Sequence, residues 1–355
     1  MELNPFQIIM EEFKMKTNKK RFMLVALLIC FIFVTACAQP APAPDPAPSE
    51  PQPETPGNET EQPSGPTFPT KPIRIITHSE PGGGVDIFIR ALQPYIQFEL
   101  GQPIVIENVP GAAGRIGTTQ VWNSDPDGYT LLSHTLPLTT VGDIVYDAEY
   151  NILEFEHLVA FDKTPYVIAV KIDSDINTFE DLVNESKERT LTNATSGVGG
   201  SMHLQSVVMK DALGIDYADI PFNGSAPAMM AVMTNDVDFA ILPFDIPLTN
   251  LDEVKVIVAM DTNRMPQYPD IPTVLEEGYE FELISIRRCI VAPKGTPQEI
   301  NEILINAFEK AAENPDYLKW AEDRGVNLEI LTGDDYYRIA EEAYEMVDKF
   351  KDIFQ

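Results

Sequence analysis

The chain has 355 residues, 44% of them hydrophobic and 23% charged, and a formal net charge of −30 at pH 7. That length and balance suit about two globular domains with proper cores. The charge excludes nucleic acid and anionic membrane surfaces as partners, since both would be repelled. Any anion site must therefore be built locally, from backbone dipoles or a few arginines, against an unfavourable mean field.

At the N-terminus, Lys16, Lys19, Lys20 and Arg21 precede the apolar stretch Phe22–Val34, which runs into Thr35-Ala36-Cys37. This reads as a signal peptide over residues 1–36 with a lipobox-like end, after which Cys37 is lipidated. An uncleaved signal anchor is the competing reading. Met15, immediately before the basic cluster, makes a better start than Met1. Cys30 lies in the apolar segment and Cys289 is alone in the mature part, so no internal disulfide framework is expected. Cys289 reads as a buried thiol rather than a nucleophile. The histidines are far apart and show no metal-ligand spacing with cysteine, so neither a metal nor a cofactor is implied. Beyond Cys37 the chain is dominated by Pro, Glu, Gln and Ala, which cannot bury a core, and residues 37–67 read as an extended tether.

From Phe68 onward, strand-like and helix-like runs alternate. Ile73–Ile76 reads as a buried strand and Pro81-Gly82-Gly83-Gly84 as a turn, with a helix from Asp86 to Leu100. Strands are expected at Ile104–Glu107, Tyr129–Ser133, Tyr166–Lys171, Leu191–Ala194, Tyr217–Pro221, Phe239–Leu242, Val254–Ala259 and Ile290–Ala292. Helices are expected at Arg115–Ser124, Phe179–Lys187, 201–213, Ala226–Thr234, Pro297–Glu313, Pro315–Arg324 and Gly333–Phe350. The alternation implies an α/β architecture of parallel sheets wrapped by helices.

The glycines at 82–84 leave no side chains between backbone N–H groups and whatever sits above the following helix, which suits an anion. The bland alternative is a tight turn with Asp86 as N-cap. A second strand–glycine–helix loop, Thr195-Ser196-Gly197-Val198-Gly199-Gly200-Ser201, lies far away in sequence. Two such turns facing each other would form a pincer of N–H donors matched to a carboxylate. A third loop, Pro221-Phe222-Asn223-Gly224-Ser225-Ala226-Pro227, has the same form and suits the distal end of a ligand. His78, beside the first loop, is a candidate contact, whereas His203 reads as a packed or capping residue.

Enzyme templates fit poorly. No Gly-Lys-Ser/Thr follows Gly82–Gly84, and Gly111–Gly117 spaces its glycines as GxxGxxG rather than as a dinucleotide fingerprint. Gly197-Val198-Gly199 lacks nucleophile-elbow spacing, and Ser196 and Ser201 have no visible His–Asp partner, which speaks against an exported hydrolase.

The blocks KPIRII…PGGGVD, LGQPIVIENVPGAAGRIGT, DPDGYTLL, PFNGSAPAM, VDFAI, YPDIPTVLEEGY and VAPKGTP occur in order. Together they resemble the extracytoplasmic substrate-binding proteins of tripartite tricarboxylate transporters, the Bug family, over the span from about Phe68 to the C-terminus. The resemblance implies a type-2 periplasmic-binding-protein fold of two α/β lobes joined by two crossing segments, near Tyr166–Lys171 and Arg288–Pro293. Lobe one would comprise residues 68–168 with 289–355, and lobe two residues 169–288. It further implies a small carboxylate ligand held largely by the glycine-loop amides and water, membrane permease subunits as partners, and a monomer that is not an enzyme. Carried over by position, the site would contain Ser79, Pro81, Gly82, Gly83 and Asp86 from the first loop. Ser196, Gly197, Gly199 and Ser201 would come from the second and Gly224 and Ser225 from the third, with Thr135 and Asp245 after their strands.

The departures bear on the ligand. Where members often have Pro-Phe before the turn, this chain has His78-Ser79, and Glu80 adds a negative charge. Before Val291-Ala292-Pro293 stand Arg287-Arg288-Cys289, a credible clamp for a second carboxylate unless the arginines pair with nearby acids. The expected product is an extracytoplasmic, lipid-anchored solute-binding protein. The alternative is a binding protein that presents its closed form to a membrane receptor kinase.

Overall fold

The run behind Lys71 forms strand β1 (Ile73–Thr77), with Ile73 and Ile75 buried in one core and Ile76 in another. Alternating side chains on a strand serve two faces, and both faces here are covered. A glycine turn leads to helix α1 (Gly84–Leu100), and β2 (Ile104–Asn108) returns parallel to β1. The structure is a computed structural model that describes residues 68–266 and 268–354, which belong to one compact unit. The signal peptide, Cys37 and the tether expected over residues 1–67 lie outside the described residues. Among the described residues no helix is long and apolar enough to cross a membrane.

Next come α2 (Arg115–Trp122), β3 (Thr130–Leu136), α3 (Leu138–Tyr146), β4 (Glu156–Asp162) and β5 (Thr164–Lys171). A capping box between Thr178 and Asp181 opens α4 (Phe179–Glu188). The chain continues through β6 (Leu191–Thr195), α5 (Ser201–Leu213), β7 (Tyr217–Pro221), α6 (Ser225–Met233), β8 (Phe239–Pro243) and β9 (Val254–Met260). It closes with β10 (Ser285–Ala292), α7 (Gln298–Ala312), α8 (Pro315–Asp323), β11 (Leu328–Thr332) and α9 (Gly333–Phe350).

The strands form two sheet sections, β2-β1-β3-β10-β4-β11 and β7-β6-β8-β5-β9. They meet where Ser285 and Ile286 of β10 pair with Pro165 and Thr164 of β5. Between the named strands, parallel pairing is confined to β2-β1-β3 and β7-β6-β8, so the expected parallel sheets are in fact mixed. Strands β4, β5, β9, β10 and β11 run against their neighbours. Lys163 alone separates β4 from β5, which leaves no room for the crossover helix that a parallel connection needs.

On the first section, one core gathers Phe88, Ile96, Phe308 and Tyr317 from α1, α7 and α8. The other face packs Val121 of α2 against Tyr336 and Ile339 of α9. The second section has its own core around Phe179, Leu204, Val232 and Phe239, joined by Val347 and Phe350 from the far end of α9. Helix α9 thus contributes to a core in each section. The result is a mixed α/β fold with glycine turns at the carboxyl ends of β1, β6 and β7.

Candidate ligand-binding site

Helix α1 begins at Gly84, two residues before the expected Asp86, because Gly83 serves as N-cap without any side-chain bond. Asp86 sits in the third helical position and reaches back, accepting from the Gly82 N–H at 2.8 Å. Its other oxygen accepts from Arg90 Nε at 2.7 Å and Asn108 Nδ2 at 2.8 Å. Asn108 Nδ2 also donates to the Ser79 carbonyl at 3.0 Å, so the carboxylate and the amide together fasten the loop to β2. Asp86 is thus a positioning residue with both oxygens occupied. What remains open are the N–H groups of the first turn, which no helix can pair internally. Pro81 and Glu80 are exposed, and Ser79 turns its hydroxyl onto the Glu80 carbonyl. A Cβ on Gly83 would lie 2.2 Å from Ser79 Oγ, so a side chain there must displace that hydroxyl.

His78 is buried, with Gly114 packed against its ring and Thr135 Oγ1 at 3.5 Å from Nε2. Burial pushes its pKa down to about 4, so it stands there as a neutral group rather than a cation. Thr135, the last but one residue of β3, lies opposite Arg288 in the antiparallel register.

The second and third loops follow adjacent parallel strands. Phe222 N donates to Thr195 O at 2.8 Å, which ties them together. Gly200 caps α5 and Gly224 caps α6, again without a side-chain bond. The Gly199 N–H turns to His203 Nδ1 at 3.3 Å. Gly199 itself has φ +76°, and any Cβ there would collide with Tyr146, 2.1 Å from its hydroxyl. Tyr146 in turn carries the Arg115 guanidinium over its ring at 4.2 Å, so the GAAGRIG segment contacts the second loop through one aromatic. Ser196 and Gly197 are half-buried, and Ser201 is buried. Ser225 directs its hydroxyl at Met202 Sδ, 3.6 Å away.

Arg287 and Arg288 do not form a clamp. Neighbours on a strand face opposite ways. Arg287 ion-pairs with Glu329 on β11. Arg288 is buried and spans two aspartates: Nη1 meets Asp162 Oδ2 at 2.6 Å, and Nη2 meets Asp245 Oδ2. The Arg288 backbone N–H also donates to Asp162 Oδ1 at 2.8 Å, while the guanidinium lies 5.2 Å from the centre of the Phe88 ring. Burial lifts the Asp162 pKa above the usual carboxylate range, against the pull of Arg288. The guanidinium is thus committed to these carboxylates. Asp245 Oδ1, by contrast, is buried without a hydrogen-bond partner.

A cavity of about 240 Å³ joins these parts. The first loop contributes Gly82 and Gly84, the third-loop helix Ala226, and the segment after β8 Asp245 and Ile246. Much of the remaining wall is apolar, formed by Phe88, Met229, Met230, Met233 and Trp320. The chamber therefore couples the first loop to the third, and residues 197–200 of the second do not line it. The residues missed from sequence are these methionines, Tyr146, Trp320 and Arg324. Met229, Met230 and Met233 do share a helical spacing directly after a glycine loop, but that pattern equally describes a packed core. Arg324 lies exposed over the Trp320 ring at 5.4 Å and has no salt bridge among the described residues.

Residues 88–355 match the family model described as tripartite tricarboxylate transporter family receptor. An Agrobacterium vitis protein, described as a UPF0065 protein in the TAR-I ttuE-ttuC' intergenic region, is 30% identical over 254 residues, or 70% of this chain and 73% of its own. Protein BugT of Bordetella pertussis is 28% identical over 278 residues, 76% of this chain and 85% of BugT. Among solved structures, periplasmic binding protein BugD superposes with a TM-score of 0.73 at 27% identity, covering 81% of this chain and 97% of BugD. MatC from Rhodopseudomonas palustris, solved with bound malate, shares the fold at a TM-score of 0.71 and 24% identity, over 81% of this chain and all of its own (100%).

Proposed function

The chain belongs to the tripartite tricarboxylate transporter receptor family, and from that premise we propose that it captures a small organic carboxylate at the N-terminus of α1 and delivers it to membrane permease subunits. The family is an extracytoplasmic substrate-binding receptor for transport, so the chain is not an enzyme. One observation carries the proposal. Gly84, the first residue of α1, and Ala226, the second of α6, line the same cavity, and neither helix has a side-chain cap. A carboxylate there would supply the missing acceptors for N–H groups at the positive end of the helix macrodipole. Arg324, stacked on Trp320 at the cavity, is the cation available to a second carboxylate. MatC, with malate bound, supports a small-carboxylate reading at the level of fold.

In this proposal the lobes that close on the ligand are residues 68–168 with 289–355, and residues 169–288. Strand pairing between Pro165 and Ser285 sits beside both boundaries. Closure would expel water and strengthen every polar contact in the cleft. The Ser196–Ser201 loop would join the ligand on closure, through Ser196, Gly197 and Ser201, while Thr135 and His78 line the base of the first loop. Lipidation at Cys37 and the Pro-rich tether would hold the monomer near its permease partners.

The test is a thermal-shift screen of the full-length protein in mild detergent against mono-, di- and tricarboxylates, aromatic acids and acidic amino acids. An acid at a hundred times its dissociation constant adds about 2.7 kcal/mol, several degrees in melting temperature. Absence of a shift with every acid, alongside a shift with a neutral or cationic solute, would overturn the carboxylate assignment.

A further inference from the structure

We propose that Arg115 is a specificity-determining residue, a cation that receives one carboxylate of a dianionic ligand between the first and second glycine loops, outside the chamber. The inference rests on the carboxylate reading above, in which the second loop joins the ligand, and assigns the partner of the group held there. The chain carries 55 Asp and Glu against 25 Lys and Arg, so a cation with no acid beside it is out of pattern. Among the described residues every arginine except Arg115 and Arg324 ion-pairs with a carboxylate. Arg324 is exposed over Trp320, where water and salt screen its pull. Arg115 is half-buried, so its charge is screened less.

Helix α3 builds the seat of this side chain. Gly142 leaves room for the stem, since a Cβ there would lie 3.1 Å from Arg115 Cγ. Four residues on, along the same face of the helix, Tyr146 takes the guanidinium over its ring at 4.2 Å. Stacking covers one face of the guanidinium plane and leaves its N–H edge, the edge that meets a carboxylate in two parallel bonds. None of its nitrogens makes a hydrogen bond among the described residues, and none is sealed from solvent. Asp143 of α3 does not claim it, for that carboxylate accepts from the Ile152 N–H at 3.0 Å. The location fits as well. The preceding residue, Gly114, packs against the His78 ring at the foot of the first loop, and the Tyr146 hydroxyl touches Gly199 of the second. Arg115 is thus one residue from the first loop and one aromatic ring from the second, and it does not line the chamber.

The experiment is isothermal titration of the full-length protein in mild detergent with diacids and their monoamides, succinate against succinamate and adipate against adipamate. Each monoamide keeps one carboxylate and the shape of its parent, so the ratio of the two affinities reads recognition of the second charge. In the wild-type protein the bound diacid should exceed its monoamide about ten- to hundredfold, the worth of a charge-assisted hydrogen bond. Arg115→Met keeps a stem to pack on Gly142 and Tyr146 and should bring the ratio to near unity. Arg115→Lys keeps the charge without the planar fork and should retain part of it. An equal loss of affinity for diacid and monoamide in Arg115→Met assigns the residue to packing alone and overturns the proposal. A ratio lost in Arg324→Met but intact in Arg115→Met also overturns it and leaves the carboxylate reading standing. Equal affinities within each pair of the wild-type protein do the same, whether or not the variants fold. Failure of every acid to bind brings down both.

Discussion

Burial holds the imidazoles of His78 and His157 neutral, each with its pKa pushed down to about 4. The unfolded chain protonates a histidine near pH 6.5, so it binds more protons than the folded chain between 6.5 and about 4. The stability each residue contributes is therefore whole above pH 6.5 and is lost as pH falls through that window, by at most about 3 kcal/mol each. Urea midpoints measured at pH 7 and pH 5 should show the drop, and His157→Gln should reduce it. Gly199 is the more exacting of the loop glycines, since both its φ of +76° and the Tyr146 hydroxyl exclude a side chain. Gly199→Val should lower stability by roughly 1–3 kcal/mol and abolish carboxylate binding. Gly83→Val meets chiefly the movable Ser79 hydroxyl, so it should abolish binding with a smaller fall in melting temperature. Retained binding in both variants would remove the loops from the site. The glycine spacing was legible because glycine is placed by backbone geometry. The roles of Asp86 and Arg288 were not, since their partners Asn108, Asp162 and Asp245 lie 22, 126 and 43 residues away in sequence.

At the scale of elements, the strand–glycine–helix units at β1-α1, β6-α5 and β7-α6 were readable from local pattern alone. Strands β4 and β11 and helix α3 were not read from sequence. The segments of β4 and β11 are short, and they gain regularity from β10, from each other and from the surrounding cores. Strand β10 is also longer than its apolar core, because Arg287 and Arg288 continue it by pairing with acids on other strands. Arg288→Met would leave Asp162 and Asp245 buried without their counter-charge. It should cost about 3–5 kcal/mol, read as a lower denaturant midpoint at pH 7. Asp162 already has its pKa raised by burial, so removing Arg288 should raise it further and make lower pH partly restore the variant. A midpoint unaffected by Arg288→Met would show that the cluster is not a structural bond between the elements.

At the scale of the molecule, β10 and β5 carry the chain between sheet sections, and α9 places Tyr336 in one core and Phe350 in another. Ligand-driven closure of the proposed lobes should reduce the radius of gyration in solution scattering, and an unchanged value at saturating ligand would argue for a rigid site. The chain by itself determined the α/β class, the glycine turns and the family, because each is encoded in residues close together in sequence. Only the tertiary structure decided that the first loop shares its chamber with the third, that methionines line it and that the two arginines are already engaged. Those outcomes depend on which distant side chains meet. An arginine beside a carboxylate is a bond in the scaffold, an arginine without one is available to a ligand, and no local pattern distinguishes them.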